Sequence, residues 1–597
     1  MTLLMIRSLA LASSIALMLI TVPSAVAQEN QPDLIGGGKA PAGWAISPEI
    51  YDAYFGPLNV GAPQGTLVAD SGFRPYPNGF PVPNWGDPQS FINNQFVFGV
   101  PERVTLEEYN KSSITPPKPL NALSLRRTFG DGVCRDPKAI DPTTGDCELI
   151  FGAELMARMI ESSSRGGHCF GFAAAAAALY NGQLPASQVG ASGLGVNAAN
   201  QMRQPAVQSI TRLFGTQYFN STVPPMLSTG MSPTEVVTTL RSELAGGTTP
   251  YVLTLLNDKG GHGITPFAVL DRGDGLFDIA VYDNNYPLRA RAITVNTTTD
   301  TFSYSSAINA TAPGIEWSSE TQAAIGLVSV ADLLTEQTCP VCLGPDQGTL
   351  VTLSSLKKEN ASEISLSLID EAGQPLDRSL WRETGSLNPP TQDVVSQPVI
   401  TVAPGVRFGV KILTGNLASE QSLEVFAISN GEAQYVLLDK LASNSGSVFG
   451  VGGSDGSLFV SSAPSSPRIL QLSDQPGMSF DVNGHPLNLP ADVRVDQRWN
   501  TATQRVEYRS NAKKTLRWNI QVGGLDDDGG REYVGLNVRV PAGAKIVVDY
   551  TKASATVPPK AWVKTADGDR RPVSMQPVTK QLINAYRDEI YVSTGLE

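Results

Sequence analysis

Five cysteines and three histidines are the chain's whole stock of thiols and imidazoles, and their spacing sorts them. Cys134 and Cys147 flank the Pro/Asp/Gly-rich loop RDPKAIDPTTGD, and Cys339 and Cys342 make up CPVC. If each neighbouring pair is bridged, Cys169 is left over, and an odd thiol is either partner-seeking or reactive. It stands in SSSRGGHCFGFAAAAAALYNG, residues 162–182, at the mouth of an alanine-rich helix. Only the thiolate is a good nucleophile, and a free thiol titrates at about 8.5. The first turn of a helix aims unsatisfied N–H groups and the positive dipole end at such a sulfur. The same N–H groups can hold the oxyanion of a tetrahedral intermediate. Glycines on both sides of the cysteine let a substrate backbone come close.

A cysteine nucleophile needs a base, and only His168, His262 and His485 are available. His485 lies in NGHPLN, which reads as an exposed turn of the β-rich region. His168 adjoins the cysteine, but neighbours at a helix start point in different directions. His262 follows DKGG and leads into a strand, which makes it the preferred base. GITPFAVLD (263–271) and LFDIAVYD (276–283) read as a hairpin closed by RGDG. Pairing residues 272 and 275 places His262 opposite Asn285, with Asp283 diagonal on the same face. Either could fix the imidazole's tautomer, in a Cys–His–Asp/Asn arrangement; Asp283 is preferred and Asn285 is the alternative orienter.

The elements that must position these residues are a mixture of helices and strands. GAELMARMIES (152–162) has helical apolar spacing, and the alanine run ends at Asn181-Gly182, a C-terminal cap. SPTE opens another helix at Ser232 with the signs of a capping box. PYVLTLL (250–256) precedes the hairpin as a further strand. After CPVC the chain turns to short β-runs with frequent turns, among them SEISLSLID, VRFGVKILTG and TLRWNIQVGG. That pattern predicts antiparallel β-sandwich modules, with SSAPSSPR (461–468) as the seam. The expected organisation is a Pro/Gly-rich segment over 28–120, an α+β catalytic domain over 121–338, and β-rich modules over 339–465 and 466–597.

GGHCFGF, FGDGVC and GHGITPFAVLDRGDGLFDIAVYDNNYP together resemble the papain-like cysteine peptidase superfamily, and a group of secreted bacterial proteins sharing the GGHC…GH…YDNN pattern. The resemblance covers about residues 125–335. It implies a papain-like domain in which Cys169 is the nucleophile, His262 the base and acid, and Asp283 the orienter. Members commonly place a glutamine six residues before the cysteine to complete the oxyanion hole; here that position is Ser163. Ser162, Ser163, Ser164, His168 and the backbone N–H groups are the alternatives for that task.

Residues 1–27 read as a secretory signal: Arg7, an apolar run, then Ala25-Val26-Ala27. No later segment has the roughly 18 to 20 apolar residues of a membrane helix. Export favours disulfides, so Cys134–Cys147 and Cys339–Cys342 are the expected bridges. CPVC as a zinc half-site is disfavoured by the lack of a second CxxC, and no metal or organic cofactor is implied. The net charge of −12 without a basic cluster disfavours nucleic-acid partners. The expectation is a secreted thiol hydrolase acting on a peptide, protein or cell-wall amide through a thioester. Its rivals are a transglutaminase-like acyltransferase, and an inactive papain-like fold in a surface-binding protein. The Pro-rich region before residue 120 is a candidate occluding propeptide.

Overall fold

The computed structural model describes residues 61–80, Asn84, 120–189, 204–219, 230–287, 289–307, 314–342 and, with short interruptions, 348–577. The expected signal segment and most of the Pro/Gly-rich stretch lie outside the described residues. The fold is α+β, and all of its strand pairings are antiparallel among the described residues.

An eight-stranded sheet carries the first half of the chain. Its strands are β1 (Thr66–Asp70), β2 (Tyr251–Asn257), β3 (Gly260–Gly273), β4 (Leu276–Tyr282), β5 (Ala290–Asn296), β6 (Thr301–Ser306), β7 (Ile315–Ser318) and β8 (Ala324–Ser329). They run in the order β7-β6-β5-β4-β3-β2-β8, with β1 on the free edge of β3. The longer helices are α1 (Ala122–Phe129), α2 (Phe151–Ser163), α3 (Cys169–Tyr180), α4 (Gln204–Gly215) and α5 (Pro233–Glu243). Alternate residues of β4 enter different cores: Ala280 and Tyr282 meet the α3 side, while Ile279 and Val281 meet Val236, Val237 and Leu240 of α5. A sheet covered on both faces explains why its central strands read as nearly continuous apolar runs.

Alanine suits α3 because it is both the best helix former and small. Ala173 to Ala178 are fully buried, and the helix lies tight against α4. A Cβ on Gly171 would stand 2.0 Å from the Ile210 carbonyl oxygen. The expected capping box at Ser232 opens α5, with Glu235 returning to the Ser232 N–H.

The β3–β4 turn differs from the expected one. Gly273 pairs with Leu276, so Asp274 and Gly275 form the tip, both with positive φ. Two bulges, at Pro266/Ala268 and Asp271/Gly273, then bring Thr265 opposite Tyr282. That restores the register expected at the far end of the hairpin, where His262 and Asp283 lie. The segment before residue 120 contributes β1, which pairs with Ala268–Asp271 of β3, and the fully buried Phe73 and Phe80. Residues 61–80 are thus part of the sheet and its core.

Both expected disulfides are present, Cys134–Cys147 and Cys339–Cys342, and Cys169 is free. Residues 348–577 form two antiparallel sheets of nine and ten strands, with one shared core that includes Val351, Val410, Val482, Tyr508 and Trp518. The expected boundary near residue 465 does not divide that core. Glu432–Leu438 pairs with Arg468–Gln475, and Ser457–Ser461 pairs with Val495–Asn500. His485 differs too: it sits in the strand Met478–Leu487 opposite Asn519, not in a turn. The NGH that suggests a turn owes its glycine to packing, since a Cβ on Gly484 would meet the Tyr508 ring at 2.5 Å. Among the described residues no helix is long and apolar enough to cross a membrane.

Candidate active site

Cys169 is the first residue of α3, and His168 is its N-cap without a side-chain capping bond. Cys169 is only 6% exposed, and its sulfur lies 4.0 Å from the carbonyl oxygen of Gly261 on β3. Two residues on, Gly263 lets the strand press against the helix start: a Cβ there would lie 2.7 Å from the Phe170 Cα. This close approach brings His262 beside Cys169.

His262 is held from its far side. Its Nε2 is 3.0 Å from Asp283 Oδ1, and the Trp317 ring stacks on it with centroids 6.4 Å apart. Nε2–H therefore donates to the carboxylate, which leaves Nδ1 on the opposite edge, with no oxygen or nitrogen partner. Asn285 Nδ2 lies 3.4 Å from Nε2, but it is a donor committed to the Ala307 carbonyl at 2.7 Å. Asn285 is thus a neighbour of the imidazole and Asp283 is its acceptor.

Asp283 is fully buried and fully satisfied. Oδ1 also accepts the Asn285 N–H at 2.8 Å, and Oδ2 accepts the hydroxyls of Tyr304 at 2.5 Å and Ser306 at 2.6 Å. Burial opposes its ionisation, yet His262 and these donors outweigh burial and hold the carboxyl down to about 2. Burial likewise pushes the His262 imidazole down; the Asp283 carboxylate, with Cys169 adding to it, wins and raises it to about 10. Burial, then the charge of Asp283, pushes the Tyr304 phenol well up, so it stays a neutral donor.

The loop after β4 ties the pieces together. Asn284 Nδ2 donates to the carbonyls of Cys169, at 3.0 Å, and Gly263, at 2.8 Å. The DNN run therefore grips the imidazole through its aspartate and the backbone of Cys169 through its first asparagine.

Of the residues singled out in the sequence, Cys169, His262, Asp283, Asn285 and His168 are brought together. The His168 ring packs on Phe214, 5.6 Å between centroids. Ser163 is exposed at the end of α2, and Ser164 spends its hydroxyl on the Glu161 carbonyl. Tyr218, which no motif marks, hydrogen-bonds Ser163, and its phenol is pushed up by burial and then by the charge of Cys169. Asn84, Asn284, Tyr304, Ser306 and Trp317 carry no motif either, save that Asn284 lies within YDNN. Among the described residues no group of three or more His, Cys, Asp or Glu side chains is placed to hold a metal ion.

Comparison with protein-family models, curated proteins and solved structures finds no match to this chain.

Proposed function

We propose that this chain is an exported thiol hydrolase that cleaves an amide or peptide bond through Cys169, His262 and Asp283. The observation that carries the reading is the buried imidazole fixed between a saturated carboxylate and a thiol at a helix N-terminus. An imidazole raised this far holds its proton at neutral pH and sets a positive charge beside the attacking sulfur. Attack of the sulfur on the amide carbon forms the C–S bond, and the carbonyl oxygen becomes an oxyanion against the first N–H groups of α3. His262 then gives its proton to the departing amine as the C–N bond breaks, leaving a thioester. Water adds to the thioester carbon while His262 takes its proton, and the C–S bond breaks to release the carboxylic acid and restore the site.

The test is alkylation of the mature protein with iodoacetamide, the modified residue being mapped by mass spectrometry, followed by a screen of quenched peptide and cell-wall amide substrates. The expected result is selective labelling of Cys169, slowed in His262→Ala and unchanged in His485→Ala, with hydrolysis abolished in Cys169→Ala. Equal labelling rates in His262→Ala and the unmodified protein would overturn the reading.

A further inference from the structure

We propose that Asn84 is a positioning residue of this site, so that residues 61–80 and Asn84 belong to the catalytic unit and are not a removable leader. The inference rests on the thiol-hydrolase reading above. Asn84 is remote in sequence from every other site residue, lies in the run PVPNWGD, and is only 1% exposed. Its Oδ1 accepts the backbone N–H of His168, the residue before the nucleophile, at 2.6 Å. Its Nδ2 donates to Asn285 Oδ1 at 3.2 Å. Its own backbone N–H donates to the Asn284 carbonyl at 2.7 Å.

One side chain therefore joins the loop that enters α3 to the loop that holds the imidazole. The two loops have no covalent link, and each contributes a reacting group whose mutual placement decides the rate. The chain makes room for the asparagine: Gly167 has φ 141°, and a Cβ on it would stand 2.6 Å from Asn84 Nδ2. Without the amide, the His168 N–H is left buried and unsatisfied, and Asn285 loses the donor that sets its side chain against His262. β1 and the buried Phe73 and Phe80 anchor the chain shortly before Asn84.

The test uses the mature full chain and reads the alkylation rate of Cys169 against that of His262→Ala, whose difference from the unmodified protein measures assistance by the imidazole. Asn84→Asp keeps an acceptor for the His168 N–H and removes the donor to Asn285; Asn84→Ala removes both. Each is expected to slow alkylation by about tenfold or more, with Asn84→Ala the slower. The double variant Asn84→Asp/Asn285→Ala is expected to be no slower than the worse single, because both act through one bond. The thermal midpoint is followed in parallel, and Asn84→Asp keeps the test open if Asn84→Ala does not fold. Folded Asn84→Asp labelled at the unmodified rate, or losses that multiply in the double variant, would overturn the positioning role alone. A protein in which His262→Ala makes no difference would instead overturn the thiol reading and the Asn84 role with it.

Discussion

At the scale of single residues, the site turns on the placement of one proton. Burial would keep His262 neutral, and Asp283 reverses that outcome because its own charge is held by four donors. Asp283→Asn removes the charge that does most to raise the imidazole and leaves burial to dominate. The His262 titration is therefore expected to fall from about 10 to below its ordinary value. With three histidines in the chain, selective labelling and NMR can follow that titration directly; a midpoint left near its original position would refute the assignment. The pair has a defined stability window. His262, raised from 6.5, contributes fully below about 6.5 and loses that contribution as pH climbs through about 10. Asp283, lowered from 3.8, contributes above about 4 and loses it as pH falls through about 2. Asp283→Asn is expected to flatten both limbs in urea unfolding measured across pH. Tyr304→Phe takes one donor from Asp283 Oδ2 and leaves the rest, so it is expected to cost about 1 to 3 kcal/mol, with a smaller effect on the His262 titration than Asp283→Asn.

At the scale of elements, two glycines separate stability from reactivity. Gly171 faces the Ile210 carbonyl of α4, and Gly263 faces the backbone of Phe170 at the start of α3. Gly171→Ala is expected to push α3 from α4 at a cost of about 1 to 3 kcal/mol or more, seen as a lower thermal midpoint. Gly263→Ala pushes β3 from the helix that carries the thiol, one residue from His262, and is expected to slow Cys169 alkylation more than it lowers the midpoint. The opposite ranking would mean that the β3 contact does not set the spacing of the reacting groups. The same elements show what sequence reading could reach. Cys169 was legible because an alanine run with a terminal cap has one start, and His262 because histidine is scarce. Asp283 was legible through period-2 alternation, although the turn tip was displaced by one residue; two bulges compensated for an error that pattern alone does not reveal. Asn84, Tyr304 and Ser306 were not legible, since each reaches the site through tertiary pairing and no local spacing rule links residue 84 to residue 168. The β-rich half followed the same division: its strands and turns were readable, but its single shared core was not, because a loop and a linker of the same composition look alike.

At the scale of the whole molecule, the question is whether the N-terminal segment guards the site or builds it. A propeptide can be cut away and leaves an enzyme behind. Here β1 supplies the second partner of β3 over Ala268–Asp271, directly up the strand from His262. A chain beginning at residue 121 would leave that edge unpaired, an invitation to association with other chains. It would also lose Phe73, packed among Tyr180, Phe267 and Tyr282, and Phe80, packed on Phe172. Each buried phenylalanine is worth about 1.5 to 3 kcal/mol in transfer alone, against a total stability of about 5 to 15 kcal/mol for a typical domain. The other flank is also engaged, since Leu350, Val399 and Ile428 of the β-rich half belong to the same buried cluster as the alanines of α3. Residues 121–577 are therefore expected to be aggregated or to lack a cooperative thermal transition, whereas residues 61–577 retain one and keep the selective alkylation of Cys169. Folded residues 121–577 labelled faster than the mature chain would reverse the assignment, for then the segment would be a cover over a site that stands without it.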